Sequence, residues 1–200
     1  MKETPALDIA DLPTHGFGPR TTTWWGTLAF MSLEGMGFAL AAASYLYLMV
    51  LATRWPINEP PPDLWPGTVV TILLVVSVPL NKMLDRWARR EDLGRVQIGI
   101  VAMSVLGIAP LIVRIFEFDH LHVRWDSDAY GSVVWFLLGL HTTHLITDVA
   151  DTVVLTALMF TRHARNPRRF SDVSDNAFYW DFVVLTWLPI YFILYWVPRL

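Results

Sequence analysis

The chain has 200 residues, 54% of them hydrophobic and 16% charged, which is more apolar than a water-soluble domain requires. With 15 Lys and Arg against 18 Asp and Glu, its formal net charge is -3, so it lacks the basic field that nucleic-acid binding needs. It contains no cysteine, which excludes disulfides, iron–sulfur clusters, thiolate zinc and thiolate-bridged copper.

Residues 1–23 are polar and lack the charged start and short apolar run of a cleaved signal peptide, so a separate amino-terminal segment is expected there. Residues 24–200 read as one all-α, polytopic membrane domain. Uncharged runs cover Gly35–Thr53, Leu64–Asn81, Val96–Val113, Ala129–Thr147 and Phe182–Pro198. Each is close to the roughly 20 residues that carry an α-helix across a hydrocarbon layer of ~30 Å. The predicted spans are 24–51, 64–84, 93–118, 130–160 and 177–197. Between the first two, Pro56, Pro60, Pro61, Pro62 and Pro66 make a stiff, extended spacer that neither pairs in a sheet nor continues a helix. Pro79, Pro110 and Pro189 fall inside spans, where neighbouring helices can satisfy the freed carbonyls.

Orientation follows from the basic residues. Lys2, Arg20, Lys82, Arg86, Arg89, Arg90, Arg95, Arg162, Arg165, Arg168 and Arg169 fall on one side, and Arg54, Arg114, Arg124 and Arg199 on the other. Eleven against four predicts a cytoplasmic amino terminus and a periplasmic or external carboxyl terminus.

Ionisable residues inside apolar runs are costly in hydrocarbon unless they face protein or water. Glu34 lies ten residues beyond Trp24, about 15 Å along a helix and so near mid-membrane. Gly35 and Gly37 flank it, which fits a carboxyl shielded at a close helix–helix contact. A proton carrier or a lipid contact is the functional alternative. In the fourth span, His141, His144, Asp148 and Asp151 are spaced by three, four and three, within an arc of about 80°. Thr142, Ile146, Val149, Ala150 and Val153 make the opposite, lipid-suited face. The polar stripe therefore points into the bundle or towards a partner chain. An inter-helix hydrogen-bond network sharing protons fits it better than a metal site, because one helix cannot close a coordination sphere. The other mid-membrane ligand candidates are Glu34 and Glu117. Asp119, His120, His122, Asp126 and Asp128 read as a solvated outer loop.

Four ordered elements resemble subunit III of the haem–copper cytochrome oxidases. Trp24-Trp25-Gly26 with Ser32-Leu33-Glu34-Gly35-Met36-Gly37-Phe38 is similar to that family's "W-G … S-E-x-M-F-F" helix. Glu117 followed by Trp125-Asp126-Ser127-Asp128-Ala129-Tyr130-Gly131-Ser132 resembles its "E … D-S-x-Y-G-S" stretch. Gly139-Leu140-His141-Thr142-Thr143-His144-Leu145 resembles "G-F-H-G-L-H-V", and Phe178–Leu188 resembles "Y-W-H-F-V-D-V-V-W-L".

The resemblance implies a five-helix form of the family, with 23 residues before the first motif. It implies a non-redox accessory subunit beside the catalytic subunit I, with subunit II nearby, in an inner (plasma) membrane. This chain would carry no catalytic centre, metal or cofactor; haem and copper are expected in the partners, and phospholipid is expected bound to it. Oxygen reduction coupled to proton translocation would be the activity of the complex, with this chain supporting assembly, lipid binding and stability. By motif position, Glu34 is the family's buried glutamate, Glu117 its third-helix glutamate, and His141 and His144 its two fourth-helix histidines. Three positions depart: Asp181 stands where the family has His, Val184 where it has Asp, and Asp148 where it has Gly. These departures fit a divergent branch serving a cytochrome c oxidase, a quinol oxidase or a nitric oxide reductase. A proton-coupled transporter is the remaining alternative, and an odd span count without inverted halves speaks against it.

Overall fold

A computed structural model describes residues 15–57 and 59–200. Positions 1–14 of the polar amino-terminal segment, and Asn58 in the proline-rich spacer, lie outside the described residues. Over the described residues the fold is all-helical, with five helices long and apolar enough to cross a membrane: α1 (Thr22–Leu51), α2 (Leu64–Arg89), α3 (Leu93–Asp119), α4 (Ala129–Met159) and α5 (Arg168–Tyr191). Short polar side chains mark three starts. Thr21 accepts from Trp24 N at α1, Asp92 from Arg95 N at α3, and Asp128 from Gly131 N at α4. After Pro189, which has no N–H to give the ladder, α5 widens into a π-helical turn, Phe192–Trp196, and ends in a tighter turn, Val197–Arg199.

α2 lies against α3 and α5, α3 against α4, and α4 against α5, while α1 leans on α4 and α5. Within its most apolar stretch only 17% of α1 is buried, against 50% of α4, so α1 is the outlying helix and α4 the central one. Indole donors stitch α5 to α2: Trp180 Nε1 donates to Ser77 Oγ and Trp187 Nε1 to Thr71 Oγ1, both at 2.8 Å. These bonds let two bulky amphipathic rings sit in the bundle interior with their N–H groups satisfied. Four residues beyond the end of α1, Trp55 stands edge-on to Tyr45 and Tyr130, 5.1 and 4.9 Å away. Its Nε1 donates to Tyr45 Oη at 2.9 Å, which anchors the start of the spacer.

Four expectations need correction. The fifth helix begins at Arg168, nine residues before the expected Ala177. Asp172, Ser174, Asp175 and Asn176 are too polar for an apolar-run criterion, yet the helix runs through them: Ser174 bonds to Asp85 on α2, Asn176 to Asp148 and Asp151 on α4, and Asp172 pairs with Arg169 within α5. Val149, expected among the lipid-facing residues, is 5% exposed and lies on Gly107, where an added Cβ would stand 2.8 Å from Val149 Cγ2. Small-residue packing does not shield Glu34: a Cβ on Gly37 would meet nothing within 4 Å, and one on Gly35 would make only an ordinary contact with Phe182. Arg114, counted among loop charges, is 1% exposed inside α3.

In the loop between α3 and α4, His122 Nε2 lies 3.2 Å from Asp63 and Asp126 pairs with Arg124 at 3.0 Å. Gly131 admits no side chain, because a Cβ there would fall 2.1 Å from the Arg124 carbonyl oxygen. The glycine lets the loop's backbone close directly over the first turn of α4.

Candidate functional site

The ionisable residues singled out in the sequence fall into three places. A cavity of about 980 Å3 between α1, α4 and α5 is lined by Glu34, His144, Asp148, Asp151, Asn176 and Tyr179, among others. Tyr179 Oη donates to Glu34 Oε2 at 2.7 Å, and His144 Nε2 lies 3.1 Å from Glu34 Oε1. His144 Nδ1 is 2.6 Å from the Leu140 carbonyl oxygen, an acceptor only, so Nδ1 carries a hydrogen. Glu34 and His144 thus form a close pair between α1 and α4 at the cavity wall. Phe38 closes over it, its ring 4.7 Å from that of His144.

One turn along α4, Asn176 is the hub of the acidic part. Its Nδ2 donates to Asp148 Oδ1 at 2.9 Å and to Asp151 Oδ2 at 3.2 Å, while its Oδ1 accepts from Thr152 Oγ1 at 3.1 Å. Asp148 is 2% exposed and its Oδ2 has no partner among the described residues. Asp175 lines the same cavity with both oxygens in that condition.

His141 does not belong to this cavity. It is fully buried on the side facing α3 and α5, where Arg114 Nη2 lies 3.1 Å from its Nδ1 and the Val183 carbonyl oxygen 3.0 Å from its Nε2. Arginine only donates and a carbonyl only accepts, so Nε2 carries the hydrogen and the ring is neutral. Arg114 Nη1 also donates to Glu117 Oε2 at 2.6 Å, and its guanidinium stacks over Trp187, 4.2 Å from the ring centre. Tyr195 Oη donates to the other oxygen of Glu117. The result is a buried ion pair with an arginine shared between a carboxylate, an imidazole and an aromatic face. The His/Asp stripe is thus divided: His144, Asp148 and Asp151 meet α1 and α5 in the cavity, and His141 meets the Arg114 pair.

Asp181 stands apart from both groups. It faces α2, forms an ion pair with Lys82 and accepts from Asn81 Nδ2 at 3.1 Å; that same nitrogen donates to the Ala177 carbonyl at 2.7 Å. Among the described residues no group of three or more His, Asp or Glu is placed to hold a metal ion.

Sequence reading missed Arg114, Asn176, Tyr179 and Tyr195. Only Arg114 carried a signal, three residues before Glu117 on one helical face with no turn-forming residue between them. The others are polar side chains of types common at helix ends, and their partners lie up to 145 residues away.

Comparison with known proteins places this architecture. Residues 67–198 match the family "Cytochrome c oxidase subunit III". The "Probable cytochrome c oxidase subunit 3" of Mycobacterium tuberculosis is 27% identical over 184 residues, covering 86% of each chain. The "Cytochrome c oxidase subunit 3" of Corynebacterium diphtheriae is 24% identical, again covering 86% of each, and that of Thermostichus vulcanus 21% identical, covering 87% of each. With the match spanning α2 to the end of the carboxyl-terminal helix and the motif residues turned into one bundle, the chain belongs to the cytochrome c oxidase subunit III family.

Proposed function

We propose that this chain is the non-redox accessory subunit of a haem–copper terminal oxidase, seated beside catalytic subunit I and near subunit II in an inner (plasma) membrane. Haem and copper reside in those partners, which reduce oxygen and translocate protons; this chain supports assembly, lipid binding and stability. The supporting observation is that Glu34, Glu117, His141 and His144, the residues aligned with the family's motifs, all turn inward and bond to the chain's own side chains or carbonyls. They are spent on holding helices in register. Outward, α1 presents Leu33, Met36, Leu40, Tyr47 and Val50, a surface for partner chains and acyl chains. Removing Arg114 from the loop tally leaves eleven basic residues against three, which supports a cytoplasmic amino terminus and an external carboxyl terminus.

Gentle detergent extraction through a tag on this chain tests the reading. Haem and copper are expected to co-purify in fixed ratio; a haem-free homo-oligomer that moves protons or solutes by itself would refute it.

The Glu34–His144 pair gives a finer test of role. In Glu34→Gln the amide can donate to His144 Nε2 and accept from Tyr179 Oη, so the helix contact persists while the carboxyl is lost. The haem spectrum and retention of the chain are expected to be unchanged. Fewer turnovers before inactivation is the expected effect, measured by oxygen consumption over repeated substrate additions. Glu34→Leu takes the acceptor from Tyr179 Oη and the contact from His144 Nε2, about 1 kcal/mol for each half-buried group, and should lower retention of the chain as well. A changed haem spectrum in Glu34→Gln would contradict the placement of Glu34 outside the redox chemistry.

A further inference from the structure

The cavity between α1, α4 and α5 carries more negative charge than its own cations balance. Five carboxyl groups line it, against Arg169 and His144. Arg169 is committed to Asp172 at 2.8 Å and His144 to Glu34 at 3.1 Å. Asp148, Asp151 and Asp175 are left without an ion pair among the described residues.

Two of these three acids are also short of hydrogen-bond donors. Asp148 is 2% exposed with Oδ2 unbonded, and Asp175 is 6% exposed with both oxygens unbonded, among the described residues. The donors in the wall are spent. Asn176 Nδ2 has two hydrogens and gives them to Asp148 Oδ1 and Asp151 Oδ2, Thr152 Oγ1 is turned to the Asp148 carbonyl and Asn176 Oδ1, and Ser174 Oγ donates to Asp85. A buried carboxylate in that condition is costly, and a donor that brings positive charge from outside relieves both deficits at once.

The spacing of the acids says which cation fits. Asp148 and Asp151 are one turn apart on α4, and Asp172 and Asp175 one turn apart on α5. Metal ions need several oxygens at one point, and among the described residues no three acids or histidines meet in that way. The rest of the wall includes Gly26, Phe30, Val154, Leu155 and Leu158, apolar surface that suits methylene groups and not a hydrated ion. A linear polyamine has both features: several ammonium groups that only donate, joined by methylene runs about one helical turn in length.

We propose that this cavity binds a linear organic polyamine, its ammonium groups against Asp148 and Asp175 and its methylenes along Phe30, Val154 and Leu158. The inference rests on reading the chain as a membrane-embedded oxidase subunit, whose orientation turns this end of the cavity to the cytoplasm.

Equilibrium dialysis of the detergent-purified complex against labelled spermidine tests it. Wild type is expected to bind spermidine saturably, one molecule for each copy of this chain. Excess putrescine should displace it, whereas magnesium chloride or butylamine at equal charge concentration should not. Asp148→Asn combined with Asp175→Asn preserves volume and is expected to weaken binding roughly tenfold or more. Asp175→Asn alone leaves every Asn176 bond in place and serves where the double variant fails to assemble. Absence of a saturable site overturns the proposal. So does equal competition by magnesium, which would mean a diffuse counterion layer, or by butylamine, which would mean a single-ammonium site. A variant that keeps the full affinity overturns it as well. Haem in the same preparation reports separately on the subunit reading, so a haem-bearing complex that binds no spermidine sinks only this inference.

Discussion

Arg114→Met is expected to destabilise this chain by about 3–5 kcal/mol, enough to lower its melting temperature sharply or to strip it from the oxidase during purification. The substitution matches the volume of the arginine stem and leaves Glu117, 1% exposed, as a buried carboxylate with Tyr195 Oη as its remaining donor. His141 Nδ1 loses its donor in the same step, and the face of Trp187 loses its cation. The penalty comes mainly from the orphaned charge, and a second substitution separates that from lost packing. Arg114→Met with Glu117→Leu removes both charges and should recover most of the loss. The residual deficit lies on Tyr195 Oη and His141 Nδ1, about 1 kcal/mol or somewhat more for each. Melting curves of the two variants in one detergent provide the measurement. If the single variant melts with wild type, the pair has no structural role; if the double variant is as poor as the single, the damage is steric and the charge argument fails.

This cluster also shows which parts of the molecule were legible in the sequence. All five spans were, because a helix crossing hydrocarbon must be apolar over a fixed length, and the long uncharged runs report that constraint directly. Reading failed where polarity was balanced inside the protein. Arg168–Asn176 looks like loop by composition, yet it is helix, because Ser174 bonds to Asp85 on α2 and Asn176 to Asp148 and Asp151 on α4. Arg114 looks like an interfacial charge when counted alone and becomes interior once Glu117, His141 and Trp187 surround it. The His/Asp stripe was legible as one face of α4, but a helical wheel does not tell which neighbour each residue meets. His141 and His144 are three residues apart and belong to different environments, because His141 meets Arg114 on α3 and the Val183 carbonyl on α5, whereas His144 meets Glu34 on α1. Glu34 was legible as buried by its depth, whereas its partners, Tyr179 and His144, depend on how three helices come together.

Asn176→Leu is the second large effect expected. The asparagine is 9% exposed and joins two carboxylates and a hydroxyl across the α4–α5 contact. Removing its amide leaves Asp148 with neither oxygen bonded, since Oδ2 already has no partner among the described residues. Each buried polar group left without a bond costs about 1–3 kcal/mol, and more when charged. Asp151 reaches the cavity and can be hydrated there, and Thr152 Oγ1 keeps its bond to the Asp148 carbonyl at 3.0 Å, so the penalty falls on the Asp148 carboxyl, about 1–3 kcal/mol. The α4–α5 contact should then loosen, with faster amide hydrogen exchange along Arg168–Asn176 while α2 and α3 stay protected. Adding Asp148→Leu removes the buried acid as well and should restore both protection and melting temperature. Asp148 stands where the family resemblance places a glycine, and Asn176 is the donor that makes this acid tolerable. The two residues therefore act as one unit: if Asp148→Leu fails to rescue Asn176→Leu, the acid is not the source of the defect, and the asparagine holds α4 to α5 through Thr152 instead.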